Sequence, residues 1–300
     1  MQQFIDPLTL ARVKDMPLVA RTVAQGVLHG QHASQRRGAG IEFSQYRVYE
    51  PGDDLAKLDW KLFARSDRYF VREAERESNI NVWLVIDASA SMAQISAASA
   101  AQGGWNKFDY ARYLLATIGF LAQQQGDAVG LLGLSTAAPS YFPAMAGEKH
   151  WQALMLALAR MRSGGRFPAP AMVQAQLGRM RHHGLVIVVS DFYQQDNEVV
   201  DFASQLTGPN TDVVGITLGC EDETTFPYTG TLRFEDRETG QQVLVSGDEA
   251  RATYLENRGE FQQQLSVQLQ RLQIQQVLTD IEQPLDQVLH AFLRARQQVN

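Results

Sequence analysis

The chain has 300 residues, of which 45% are hydrophobic and 20% charged, a balance that allows a sizeable core and excludes wholesale disorder. A net charge of −6 and a sequence pI of about 5.6 exclude the basic face that polyanion binding needs. The lone cysteine, Cys220, rules out an intramolecular disulfide and fits a reducing compartment.

At the N-terminus, acids and prolines interrupt MQQFIDPLTLARVKDMPLVA where a signal peptide needs a continuous apolar run. The most apolar helical run, YLLATIGFLA, is far short of the roughly 20 residues that span a bilayer. A cytoplasmic chain is the expectation. Leu8, Leu10, Val13, Leu18, Val19 and Val23 recur at helical spacing and predict one or two short amphipathic helices in an N-terminal segment, 1–37.

Over 38–79 the texture changes to GAGIEFSQYRVYEPGDDLAKLDWKLFARSDRYFVREAERES, with strand-like aromatic pieces around Pro-Gly and Ser-Asp turn signals. A small module packed on the main domain is expected. Tyr46, Tyr49, Trp60, Phe63 and Phe70 offer surface to bury, and Asp53, Asp54 and Asp59 alternate with Arg47, Arg65 and Arg72 as an orienting polar network.

The stretch 80–300 reads as one domain in which strands and helices alternate. NVWLVID is a buried strand, KFDYARYLLATIGFLAQQQ a helix and AVGLLGLS a strand; helices are expected at 148–162 and 170–183. LVIVVSD is the next strand, followed by a helix over 196–207, the strand DVVGITLG, a glutamine-rich helix over 249–272, the strand IQQVLTD and a helix over about 284–298. Strands apolar along their whole length and separated by helices define an α/β class: a doubly wound, mainly parallel sheet covered on both faces. At about 229–246, TGTLRFEDRETGQQVLVS places two alternating stretches around DRETG and predicts an inserted β-hairpin.

Chemistry is sought beyond the carboxyl ends of the strands, where open α/β sheets bind ligands. VWLVID stops at Asp87 and LVIVVSD at Asp191; as first and fourth strands of a doubly wound sheet they are neighbours at the switch point, and their carboxylates converge. Asp87, Ser89 and Ser91 form Asp-x-Ser-x-Ser, one carboxylate and two hydroxyls on a tight loop. Such oxygen donors suit a hard divalent cation such as Mg²⁺. The bland alternatives are a helix cap for Asp87 and ordinary turn residues for the serines. No His pair has metal spacing near a carboxylate; His182 and His183 suit a helix C-terminus, Cys220 a small buried side chain and Trp83 the core.

The DASAS strand end resembles the metal-ion-dependent adhesion site of von Willebrand factor A domains. That resemblance implies direct ligation of Mg²⁺, Mn²⁺ or Ca²⁺ by Ser89 and Ser91, with Asp87 and Asp191 acting mainly through water. An acidic group of a bound partner then supplies the missing ligand. It also implies a threonine on the loop MRSGGRFPAP, where this chain has Arg166. Three alternatives follow: Ser163 substitutes, the site is weak, or the guanidinium bridges the two aspartates.

Further upstream, GIEFSQYRVYEPGDDLAKLDWKLFAR followed by the DASASM strand end resembles the bacterial family called domain of unknown function 58. That family is von Willebrand A-like and associated with MoxR-type AAA+ ATPases. The resemblance implies a non-enzymatic adaptor or co-chaperone, with the ATPase, its protein substrate or both as partners. The rival readings are a Mg²⁺-dependent hydrolase or phosphatase with Asp87 as nucleophile, and a scaffold whose metal site has degenerated. Haloacid-dehalogenase-like phosphatases place a second aspartate two residues after the first, where this chain has Ser89. No nucleophile elbow or phosphate-binding glycine loop follows a strand.

Overall fold

The computed structural model describes residues 10–11, 13, 15–35, 45–48, 70–73, 80–137, 139–180, 184–193 and 197–297. The chain falls into two compact units, Met1–Leu28 with Ile80–Asn300, and His29–Asn79. Within the smaller unit, β1 (Gln45–Val48) and β2 (Phe70–Glu73) pair antiparallel, Gln45 opposite Glu73. The rest of the 38–79 motif lies outside the described residues. Of the N-terminal helical segment 1–37, the part up to Leu28 groups with the larger unit: from α1 (Met16–Gln35), Val19, Ala20, Val23 and Val27 pack in its core.

The larger unit is a six-stranded sheet. Its strands are β3 (Asn81–Asp87), β4 (Ala128–Leu134), β5 (Ser140–Met145), β6 (Gly184–Ser190), β7 (Thr211–Gly219) and β10 (Gln275–Asp280), in the spatial order β10-β7-β6-β3-β4-β5. All pairings are parallel except β4 with β5. The side chains of β3 alternate between faces, as the two-residue strand period requires. Val82, Leu84 and Ile86 pack in a cluster with α1, α3 (Lys107–Gln125), α4 (Glu148–Arg160) and α9 (Leu285–Gln297). Trp83 and Val85 pack in a second cluster with α5 (Pro170–Leu177), α6 (Glu198–Ser204) and α8 (Gly247–Arg271). A strand buried on both faces has no polar side to show, which is why NVWLVID is apolar throughout.

The ends of α3 are set by local chemistry. Asn106 accepts the Asp109 amide at 2.7 Å through its side chain, and Gly126 stops the helix in the left-handed conformation at φ 86°. The helix expected over 170–183 stops earlier, at Leu177 with Gly178 as its cap, and His182 and His183 lie outside the described residues. Strand β5 was not expected. It is an edge strand carrying Pro143 and is only partly buried, so neither hydrophobic run nor alternation marks it. Two short helices also add to the expected set, α2 (Ala97–Ala101) and α7 (Glu221–Thr225). The predicted hairpin is present as β8 (Thr231–Glu235) and β9 (Gln242–Ser246).

Candidate functional site

Because β3 and β6 run parallel in register, Ile86 opposite Val189, their carboxyl ends open side by side. Asp87 closes β3 and is 1% exposed. Its Oδ1 accepts the Ser89 amide at 2.9 Å and its Oδ2 accepts the Ser190 hydroxyl at 2.6 Å. Burial, followed by the facing charge of Asp191, pushes the Asp87 carboxyl up to about 7, against the lowering effect of those hydrogen bonds. Ser89 and Ser91 are hydrogen-bonded to each other through their hydroxyls, whose oxygens stand 2.9 Å apart. Asp191 lies one residue beyond β6, 1% exposed, and its Oδ1 accepts the Tyr193 amide at 3.3 Å. The chain turns there through Phe192 at φ 59°, a left-handed conformation costing a bulky residue on the order of 1–3 kcal/mol. Four predicted positions, Asp87, Ser89, Ser91 and Asp191, therefore meet at the sheet's switch point.

The cation beside these carboxylates is a lysine. Lys107, at the start of α3, is fully buried, with Nζ 3.3 Å from Asp191 Oδ2 and 2.6 Å from Glu223 Oε1 on α7. It also lies over the Tyr193 ring, 5.1 Å from the centroid. Desolvation opposes its charge, but the two carboxylates prevail and hold the ammonium protonated, above its ordinary pKa. Glu223 Oε2 in turn accepts the Cys220 amide at 3.2 Å. Sequence reasoning missed Lys107, although a signal was there: Lys107, Tyr110, Ala111 and Leu114 share one helical face, and all four are buried.

Arg166 does something other than bridge the aspartates. Its loop is fastened to the strand end by Gly164 N donating to Ala88 O at 2.8 Å and Ala90 N donating to Gly165 O at 2.9 Å. Gly165 is required there: it has φ +71°, and a Cβ would come within 2.5 Å of Thr136 Oγ1. From this loop the exposed Arg166 side chain reaches the hairpin, its Nε donating to the Glu238 carbonyl at 3.3 Å. Ser163 is half-buried on the same loop. The hairpin tip also brings in a carboxylate that sequence reasoning missed: the Glu238 side chain faces the hydroxyls of Ser89 and Ser91. Burial, then the nearby Asp191 charge, raises the Glu238 carboxyl above its usual range, while the two serines lower it.

Among the described residues no three His, Cys, Asp or Glu side chains are grouped to hold a metal, so any cation must rely on the hydroxyls. Their 2.9 Å separation fits. Adjacent oxygens of an octahedron with bonds of 2.0–2.1 Å stand about 2.9 Å apart. The charge also fits: Asp191 and Glu223 pair with the Lys107 ammonium, and Asp87 and Glu238 each feel the negative charge of Asp191.

A mainly parallel sheet with helices on both faces, in which the strand-end Asp-x-Ser-x-Ser lies beside a second strand-end aspartate, is the arrangement that the sequence resemblance led us to expect. The chain belongs to the DUF58 family, described as a protein family of unknown function, which matches residues 45–265. It is 28% identical over 238 residues to the uncharacterized protein Rv1480 of Mycobacterium tuberculosis, across 78% of this chain and 73% of that protein. Among solved structures it is similar to the conserved hypothetical protein BatB from Bacteroides thetaiotaomicron, with 14% identity, a TM-score of 0.41 and coverage of 72% of this chain and 99% of that one. It is also similar to the SpRpn10 VWA domain, with 9% identity, a TM-score of 0.39 and coverage of 70% and 94%. Among the described residues no helix is long and apolar enough to cross a membrane.

Proposed function

We propose that the chain is a non-catalytic protein-interaction module that grips an acidic group of a protein partner at Asp87, Ser89, Ser91 and Asp191. The observation that carries this reading is the pair of serine hydroxyls 2.9 Å apart beside two buried aspartates. A divalent cation, Mg²⁺ first and Mn²⁺ or Ca²⁺ as alternatives, would be held directly by Ser89 and Ser91 and through water by the aspartates. It would supply the positive charge that a partner's carboxylate meets. The partner we propose, on the family resemblance, is a MoxR-type AAA+ ATPase, its protein substrate or both, with this chain as cytoplasmic adaptor or co-chaperone.

The rival reading, a Mg²⁺-dependent hydrolase or phosphatase, needs Asp87 as nucleophile. Both oxygens of Asp87 already accept hydrogen bonds, and Ser89 stands two residues on, where such phosphatases carry the second aspartate that acts as acid and base. The deciding experiment is capture of the MoxR-type ATPase by the purified chain with Mg²⁺, compared with Ser89→Ala/Ser91→Ala. Capture should fall at least tenfold in the variant while its circular dichroism is unchanged. Equal capture by both forms refutes the site. Phosphatase turnover with Mg²⁺ or Mn²⁺ that Asp87→Asn abolishes would establish the rival.

A further inference from the structure

Glu238 reaches Ser89 and Ser91 from 147 or more residues down the chain, across the open end of the sheet. The turn that carries it is complete without that contact. Asp236 Oδ1 accepts the amides of Glu238 and Thr239 at 2.8 and 3.2 Å, Asp236 N donates to Gln241 O at 2.8 Å, and Gly240 takes φ +73°. None of these bonds uses the Glu238 carboxylate, which faces the serine pair instead. Glu238 meets the site at two points: its carboxylate faces the hydroxyl pair, and Arg166 Nε donates to its main-chain carbonyl at 3.3 Å.

We propose that Glu238 is the resident occupant of the site: the serine pair and Arg166 form a two-point receptor for an acidic residue borne on a turn, closed by the chain's own hairpin until a partner's turn displaces it. This rests on the acidic-partner reading above and specifies the partner's chemistry. A free carboxylate engages one point only, whereas a Glu or Asp at a tight turn, with its carbonyl turned outward, engages both. Two features make the occupant displaceable. Asp191 repels the same carboxylate, and among the described residues β8 and β9 pair only with each other, with Leu244 74% exposed. A lone two-stranded ribbon is marginally stable and depends on its anchorages. Here the base is held by Phe226, Phe234 and Tyr254, packed ring on ring, and the tip by the site. The tip can leave while the base stays.

The experiment has two readouts on the full chain with Mg²⁺. The first is the backbone order parameter of amides 237–240 by NMR, in wild type, Glu238→Ala and Ser89→Ala/Ser91→Ala. It should fall from about 0.85 to below about 0.6 in both variants. Unchanged values overturn the proposal. The second is fluorescence anisotropy with a labelled, cyclised peptide of the tip, FEDRETGQQV, as probe. Glu238→Ala should bind it at least tenfold more tightly than wild type, and adding Ser89→Ala/Ser91→Ala should abolish the gain. Equal measurable binding to wild type and Glu238→Ala also overturns the proposal. A tip loosened in both variants, with no peptide bound by any form, refutes the acidic-partner reading and leaves the internal occupant standing.

Discussion

Replacing Lys107 by methionine removes the buried cation and keeps most of the stem that threads the core. Its Nζ lies 3.3 Å from one carboxylate and 2.6 Å from another. At an effective dielectric of about 20, each such pair attracts by roughly 5–6 kcal/mol, and desolvation of the ammonium takes back several kcal/mol. What remains once the lysine goes is two largely buried carboxylates without their counter-charge, so the net loss should be about 3–5 kcal/mol. Urea unfolding at pH 7, followed by tryptophan fluorescence, reads it directly. With a slope near 3 kcal/mol/M the midpoint falls by about 1–1.7 M. Pairing the change with Glu223→Gln should return at least about 1 kcal/mol relative to the sum of the two single variants, because the removed charges had faced each other. A loss below about 1 kcal/mol, or strict additivity, refutes the assignment of Lys107 as the counter-charge of the site. The same variant should bind Mn²⁺ more tightly, since a fixed positive charge has left the neighbourhood of Asp191.

Two further outcomes follow from the same geometry. The folded state raises the Asp87 carboxyl from 3.8 to about 7, so its protonated form stabilises the fold fully below about pH 4, and this contribution is lost as pH rises to about 7. In chelator, the stability of wild type minus that of Asp87→Asn should shrink by up to roughly 4 kcal/mol across this window; a flat difference in paired denaturation curves would count against the burial argument. Gly165→Ala puts a methyl against Thr136 and forces a left-handed alanine, which should lower the thermal midpoint by about 2–8 °C; an unchanged midpoint would mean that the loop relaxes freely.

The fold was legible where physics leaves a local trace. NVWLVID reads as a central strand because both its faces are buried, and α3 reads to its ends because Asn106 and Gly126 cap it. Strand β5 left no such trace, since an edge strand that is only partly buried and carries a proline resembles a loop. Within the site, Asp87, Ser89 and Ser91 were legible because one short loop carries them. Glu223 and Glu238 were not, because each arrives from a segment whose own sequence says only helix start or hairpin turn, and only the tertiary fold says what those acids face. Arg166 was identified as the departure from the expected threonine, but its partner, the carbonyl of a hairpin 72 residues away, could not be read from the loop itself.

The buried lysine has a consequence for how the molecule is made. Its two counter-charges lie 84 and 116 residues further along the chain. Until β6 and α7 are in place, the start of α3 carries an ammonium that cannot enter the apolar layer, and contacts of such long range form slowly. Closing the crevice is therefore a late step of assembly, and a chain stalled before it keeps Lys107 in water. The site thereby acts as a checkpoint on its own construction: only a completed sheet can offer Asp87, Ser89 and Ser91 to a partner.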